Sequence, residues 1–300
     1  MNLIQELYKK KYLNPGSVPK WLKDNIGYLT VMGSEAYGVS SGNSDVDIYG
    51  WCFPPVRIVF PHTVTGYIKG FGKKPAGFAQ WQAHHIETER YEYDISVYGI
   101  VRYFQLLAEN NPNMVDSLFT PDRCVLFAAE PGWYVREHRK DFLHKGSKYK
   151  LLGYAHSQHQ KLSGKNPEPG SKREKLVQKF GYDTKFAYHL VRLVLQCQQI
   201  LTEHDLDLQR NREVLKAVRR GEWTLEHLSN WWQEQQILTE ETYTKSTLRN
   251  RPDYALLKSH LFHVLEMHYG SLSALNVQVP ERGEETIKEL INVLQSKGYV

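Results

Sequence analysis

The sequence predicts an α+β protein, with a mixed sheet and flanking helices over residues 1–130 and a mainly helical half over 131–300. Three observations carry this. Short runs rich in β-branched and aromatic residues, punctuated by glycine and proline, recur before residue 100. From about Trp133 onward the apolar residues keep a helical spacing almost without interruption. And 300 residues that are 41% hydrophobic and 12% aromatic can fill one large core or two ordinary ones.

The elements follow in chain order. MNLIQELYKKKYLN has a helical apolar period and lacks the apolar block of a signal peptide. IGYLTVMG, Ile26 to Gly33, reads as a strand ending at a glycine, and DVDIYGWCF, Asp45 to Phe53, as a second. Between them SEAYG has room for about one helical turn, with Ser34 as its expected N-cap. The Gly-, Pro- and aromatic-rich stretch from Val56 to Ala83 receives no assignment. ERYEYDISVYG, Glu89 to Gly99, alternates as a third strand and runs into VYGIVRYFQLLAEN, a helix expected to stop before Asn111-Pro112. Helices are then expected over 137–162, 182–203, 208–220, 225–238 and 253–268, with a Gly/Pro/Lys break at GKNPEPGSK.

Composition narrows the function classes. No run approaches the roughly eighteen apolar residues of a membrane span, so a cytoplasmic protein with no membrane partner is expected. Cys52, Cys124 and Cys197 are widely separated and odd in number, which points to reduced, buried thiols and away from a disulfide framework or a zinc site. The net charge of +5 is concentrated between Lys140 and Lys179, where Lys145, Lys148, Lys150, Lys161, Lys165, Lys172, Arg173, Lys175 and Lys179 greatly outnumber acids. Such a tract attracts phosphate backbones, and it equally suits a solvated loop.

The informative stretch is MGSEAYGVSSGNSDVDIYG, Met32 to Gly50. On a strand, residues i and i+2 share a face, so Asp45 and Asp47 would present neighbouring carboxylates while Val46 and Ile48 face the core. Adjacent carboxylates repel, and a bound Mg²⁺ or Mn²⁺, completed by waters and substrate phosphates, relieves that. Gly33-Ser34 would supply the anion side, because glycine lets backbone approach phosphate and Ser34 adds a hydroxyl donor. Two metals clamping an in-line phosphoryl displacement call for a third acid. Asp94 is the best candidate, with Glu92 on the same face a close competitor. His84-His85 with Glu87 and Glu89 is not expected to form a metal cluster, since adjacent residues of an extended segment face opposite ways. On the helix after Gly181, Lys185, Tyr188, His189 and Arg192 fall at i, i+3, i+4 and i+7. One stripe would thus carry two cations, a ring and an imidazole opposite an apolar face of Phe186, Leu190, Val194 and Cys197. Trp231-Trp232 reads as packing, and His156 and His159 as histidines within reach of nucleic acid.

Gly33-Ser34 followed by Ser44-Asp45-Val46-Asp47 resembles the signature of the polymerase-beta-like nucleotidyltransferase superfamily. More narrowly, the chain resembles predicted nucleotidyltransferases of bacteria and phages associated with RNA ligase and RNA repair. GSEAYGVSSGNSDVDIYG, YEYDISVYGIVRYFQLLAENNPNMVDSLF and FGYDTKFAYHLVRL carry the likeness. It implies that Asp45, Asp47 and Asp94 are the catalytic metal carboxylates, Glu92 not being at the matching position. It also implies that Gly33 and Ser34, with Ser44 beside them, hold the triphosphate of an NTP, and it favours Lys185 and Arg192 as cations for that triphosphate or for the acceptor's phosphates, with His189 or Tyr188 expected near the base or ribose. The implied activity is transfer of an NMP to an acceptor hydroxyl, on RNA by preference. The competing readings are a non-catalytic NTP- or RNA-binding or antitoxin-like module, and transfer to a protein side chain.

Overall fold

The computed structural model describes residues 1–40, 45–60, 77–164, 170–272 and Gln295. In chain order the elements are α1 (Leu3–Lys9), β1 (Ile26–Val31), α2 (Gly33–Ala36), β2 (Val46–Cys52), α3 (Val56–Val59), β3 (Gln80–Glu87), β4 (Glu92–Gly99), α4 (Ile100–Ala108) and α5 (Pro112–Phe119). After these come β5 (Val125–Ala128), α6 (Glu130–Glu137), α7 (Ser147–Gly164), α8 (Lys172–Phe180), α9 (Thr184–Glu203), α10 (Arg212–Arg219), α11 (Leu225–Lys245) and α12 (Tyr254–Tyr269). The strands form one sheet of order β3-β4-β2-β1-β5. The central pair β2/β4 is parallel and the other pairs are antiparallel, so the sheet is mixed.

Period-two alternation gives the sheet two apolar faces. Leu29, Ile48, Ile95 and Val97 pack with Ile4 and Leu7 of α1 on one side. Tyr28 and Trp51 point the other way, into a cluster that continues through α4 and α6 to α9 and α12. Within the helical half, α9 lies against α7, α8, α10 and α11. Its ends are set by local chemistry. The Asp183 side chain accepts from Lys185 N–H at the start, and His204 takes the left-handed conformation at the end. Asn111 caps α5, whose first residue is Pro112; the proline that stops one helix therefore opens the next.

Several expectations need correction. The helix begins at Gly33 with Met32 at the N-cap position, so Ser34 lies inside the turn and does not cap it. Two strands escaped the alternation pattern. β5 is only four residues long, and β3 is interrupted by a bulge between Ala83 and Ile86. The helix expected over 137–162 is broken into α6, a short 3₁₀ segment Arg139–Phe142, and α7. Tertiary bonds explain the break. Asn110 Nδ2 donates to Phe142 O at 2.7 Å, and the His144 ring is held by Ala108 O at 2.9 Å while accepting from Gly146 N–H at 3.0 Å. The three cysteines are free and buried, as expected. Among the described residues no helix is long and apolar enough to cross a membrane.

Candidate active site

The site grows from the ends of β1, β2 and β4. At the end of β1, Met32 N–H donates to Asp47 O at 2.7 Å, which fixes the Gly33 turn against β2. Gly33 has φ +62°, and a Cβ placed there would lie 2.1 Å from Asp47 Oδ2. Glycine thus serves twice, for the left-handed backbone and for the close packing of the Asp47 carboxylate against it, where a side chain would collide. On the parallel pair, Asp47 is the register partner of Asp94. In-register neighbours share a face at strand spacing, about 4.8 Å. Asp45, exposed at the entrance to β2, follows the same period. Ser44 lies outside the described residues.

Electrostatics agree with this crowding. Burial, then the charge of Asp94 and of Asp45, pushes the Asp47 carboxyl above its usual value, with Lys185 acting in the opposite sense. Tyr49, next on that face, is pushed up to about 12 by burial, by Tyr98 and by the same two aspartates, Asp47 and Asp94. Lys185 is exposed near the start of α9, close enough for its charge to act on Asp47.

The bulge in β3 places both His84 and His85 opposite Asp94, contrary to the expectation that they face apart. His85, at φ 53°, donates its backbone N–H to Asp94 Oδ1 at 2.9 Å, and His84 Nδ1 lies 3.4 Å from the same oxygen. The His85 ring is 2.5 Å from Glu92 Oε1, so Glu92 is engaged there while Asp94 faces Asp47. Among the described residues no three His, Cys, Asp or Glu side chains close around a point suited to a metal ion. What is present fits a hard divalent cation completed by substrate oxygens. The donors are carboxylates, and they repel one another.

The stripe expected on α9 is only partly accessible. Lys185 is exposed, His189 is half-buried, and Tyr188 and Arg192 are buried. Arg192 Nη1 donates to Asp116 Oδ2 and to Tyr37 Oη, both at 2.6 Å, and to Gln196 Oε1 at 3.1 Å. Tyr37 Oη in turn donates to Asp116 Oδ2 at 2.6 Å, and Gln196 Nε2 donates to Asp116 Oδ1 at 3.1 Å. Burial opposes charge on the guanidinium, but Tyr37 and Asp116 together outweigh it and hold Arg192 protonated. Sequence reasoning missed Tyr37 and Asp116. Tyr37 stands inside the GSEAYG motif, and Asp116 is a lone acid in the apolar helix PNMVDSLF, a pattern that signals a buried partner. The Tyr188 hydroxyl and Arg192 Nε have no hydrogen-bond partner among the described residues.

Lys165 lies outside the described residues; the described part of the basic tract is largely helical, and part of its charge is already paired. Lys148 contacts Glu240, Lys150 lies 3.2 Å from Glu109, and Arg173 lies 3.4 Å from Asp183. His159 stacks on Trp232, with centroids 5.7 Å apart.

Comparison with known proteins places the chain in a family. No curated protein sequence matches the chain. Among solved structures, a nucleotidyltransferase-like protein from Exiguobacterium sibiricum aligns over 98% of this chain and 90% of its own at 10% identity, with a TM-score of 0.29, a likeness on which nothing is built. The model of the RNA repair pathway DNA polymerase beta family matches residues 14–266. With a mixed sheet bearing the Gly33 turn and paired aspartates, and a helical half behind it, the chain belongs to the RNA repair pathway DNA polymerase beta family.

Proposed function

We propose that this protein is a metal-dependent nucleotidyltransferase that moves an NMP from an NTP to an acceptor hydroxyl on RNA. The acceptor oxygen bonds to the α-phosphorus, the α–β phosphoanhydride bond breaks, pyrophosphate leaves, and the hydroxyl proton passes to solvent. The observation that carries the reading is the register of Asp47 against Asp94 under a glycine that can hold no side chain. Asp45, Asp47 and Asp94 would hold Mg²⁺ or Mn²⁺, which supplies charge neutralisation for the phosphoryl group. The Gly33-Ser34 turn and Lys185 would position the triphosphate.

The test is incubation of the protein with each α-labelled NTP, Mg²⁺ or Mn²⁺ and total RNA, beside Asp47→Asn. Label entering RNA only with the unaltered protein is expected, with a loss in the variant of at least roughly a thousandfold, in line with removal of a group that stabilises transition-state charge. Equal labelling by the variant would overturn the mechanism. Labelled protein in place of labelled RNA would overturn the acceptor.

A further inference from the structure

A cavity of about 280 Å³ lies where α7, α8 and α9 meet the start of α5. Lys161, Arg173 and Arg192 line it together with Tyr154, Phe186 and His189, and none of the described lining residues is acidic. Lys161 Nζ and the Arg173 guanidinium both stand over the Phe186 ring, 5.6 and 4.3 Å from its centre, so two cations share one apolar floor, and the long 3.4 Å contact of Arg173 with Asp183 leaves the other guanidinium nitrogen able to take a phosphate. Tyr154 is 47% exposed at the rim. Arg192 lines the cavity with its Nε buried and without a partner among the described residues, while its Nη1 is engaged by Asp116, Tyr37 and Gln196. Burial, followed by Arg192, Lys185 and Arg173, holds His189 well below its usual value, so at neutral pH it offers a hydrogen-bonding imidazole and no charge.

Cations, an accessible ring and an uncharged hydrogen-bonding group are the means by which single strands are held: phosphates by charge, bases by stacking. The volume is at the small end of ligand cavities, enough for about one nucleotide unit. His189 follows Lys185 by one turn of α9, about 6 Å along the axis. By contrast, the cavity beside α6 and the end of α9 is lined by Asp122, Glu203, Asp205 and Asp207 as well as arginines, a poor host for a polyanion.

We propose that the cavity between α7, α8 and α9 seats a nucleotide of the single-stranded RNA acceptor, with Lys161 and Arg173 on its phosphates and Tyr154 against a base. This rests on the transferase reading above for the word acceptor, but not for the binding itself.

The experiment is an anisotropy titration of a labelled twelve-nucleotide single-stranded RNA at several salt concentrations, with ATP binding measured in parallel by calorimetry. Lys161→Ala/Arg173→Ala is expected to weaken RNA binding at least tenfold and to flatten the log–log salt slope by about 1.4, about 0.7 for each phosphate no longer neutralised, with ATP affinity unchanged. Tyr154→Ala, at an exposed position, is expected to weaken RNA binding about fivefold or more, and it decides the matter if the double variant fails to fold. Unchanged RNA affinity and slope, or an equal loss of ATP affinity, would overturn the proposal, and equal binding of the matching DNA strand would overturn RNA as the strand held. RNA binding through Lys161 and Arg173 without any nucleotide transfer would count against the catalytic reading alone.

Discussion

At Gly33 two demands meet on one residue. Its φ of +62° belongs to the left-handed region, and its missing side chain leaves space that a Cβ would fill to within 2.1 Å of Asp47 Oδ2. Alanine there costs about 1–3 kcal/mol for the backbone alone. The methyl would also displace the carboxylate, or push the turn away from β2. Gly33→Ala is therefore expected to lower the unfolding free energy by at least the backbone cost of about 1–3 kcal/mol in denaturant titration and to abolish transfer in the labelling assay. A variant that retained both stability and activity would show that the turn does not touch the reacting groups.

At the level of elements, the short helix α2 depends on the helical half for its place. Four residues cannot stabilise a helix by themselves. Tyr37, at its end, is held by Arg192 and Asp116; Ala36 O accepts from Gln209 Nε2 at 3.0 Å, and Val39 O from Arg219 Nη1 at 2.8 Å. Asp116 and Arg192 are both almost fully buried, so removing one partner strands the other charge. Asp116→Ala is expected to cost about 3–5 kcal/mol, whereas Asp116→Leu with Arg192→Met should recover most of that loss. Chemical denaturation of the three proteins checks the pair. Equal stability of the single and double variants would mean that the stranded guanidinium is not the cause. The sequence made the strands and helices around Asp45, Asp47 and Asp94 legible because period-two and helical spacing are local signals. It hid the clasp on α2 because Tyr37, Asp116 and Arg192 meet across 155 positions of chain, and no local pattern records which buried acid finds which base. The bulge that turns His84 and His85 toward Asp94 was illegible for a related reason. It breaks the alternation by which β3 would have been recognised.

Over the whole molecule the question is whether the sheet half can stand alone. Composition and periodicity place a boundary near residue 130, but the buried side chains do not respect it. Tyr28 and Trp51, on the sheet, share one continuous cluster with Val135, Tyr188, Leu190 and Val264. The Tyr28 hydroxyl accepts from Arg136 Nη1 at 3.0 Å, and Phe53 lies stacked on His268, with centroids 3.8 Å apart. A fragment ending at residue 130 would expose Tyr28 and Trp51, each at 0% exposure in the full chain, and burying a large apolar side chain is worth about 1.5–3 kcal/mol. Several such losses approach the whole stability of an ordinary domain, about 5–15 kcal/mol. Although chains of this length often unfold in steps, this one is expected to unfold as a single unit. Calorimetry should give one endotherm whose calorimetric and van't Hoff enthalpies agree, and the fragment 1–130 should lack a cooperative transition. Two resolved endotherms, or a fragment that melts cooperatively, would show that the interface between the halves is dispensable and that the boundary read from composition is also a folding boundary.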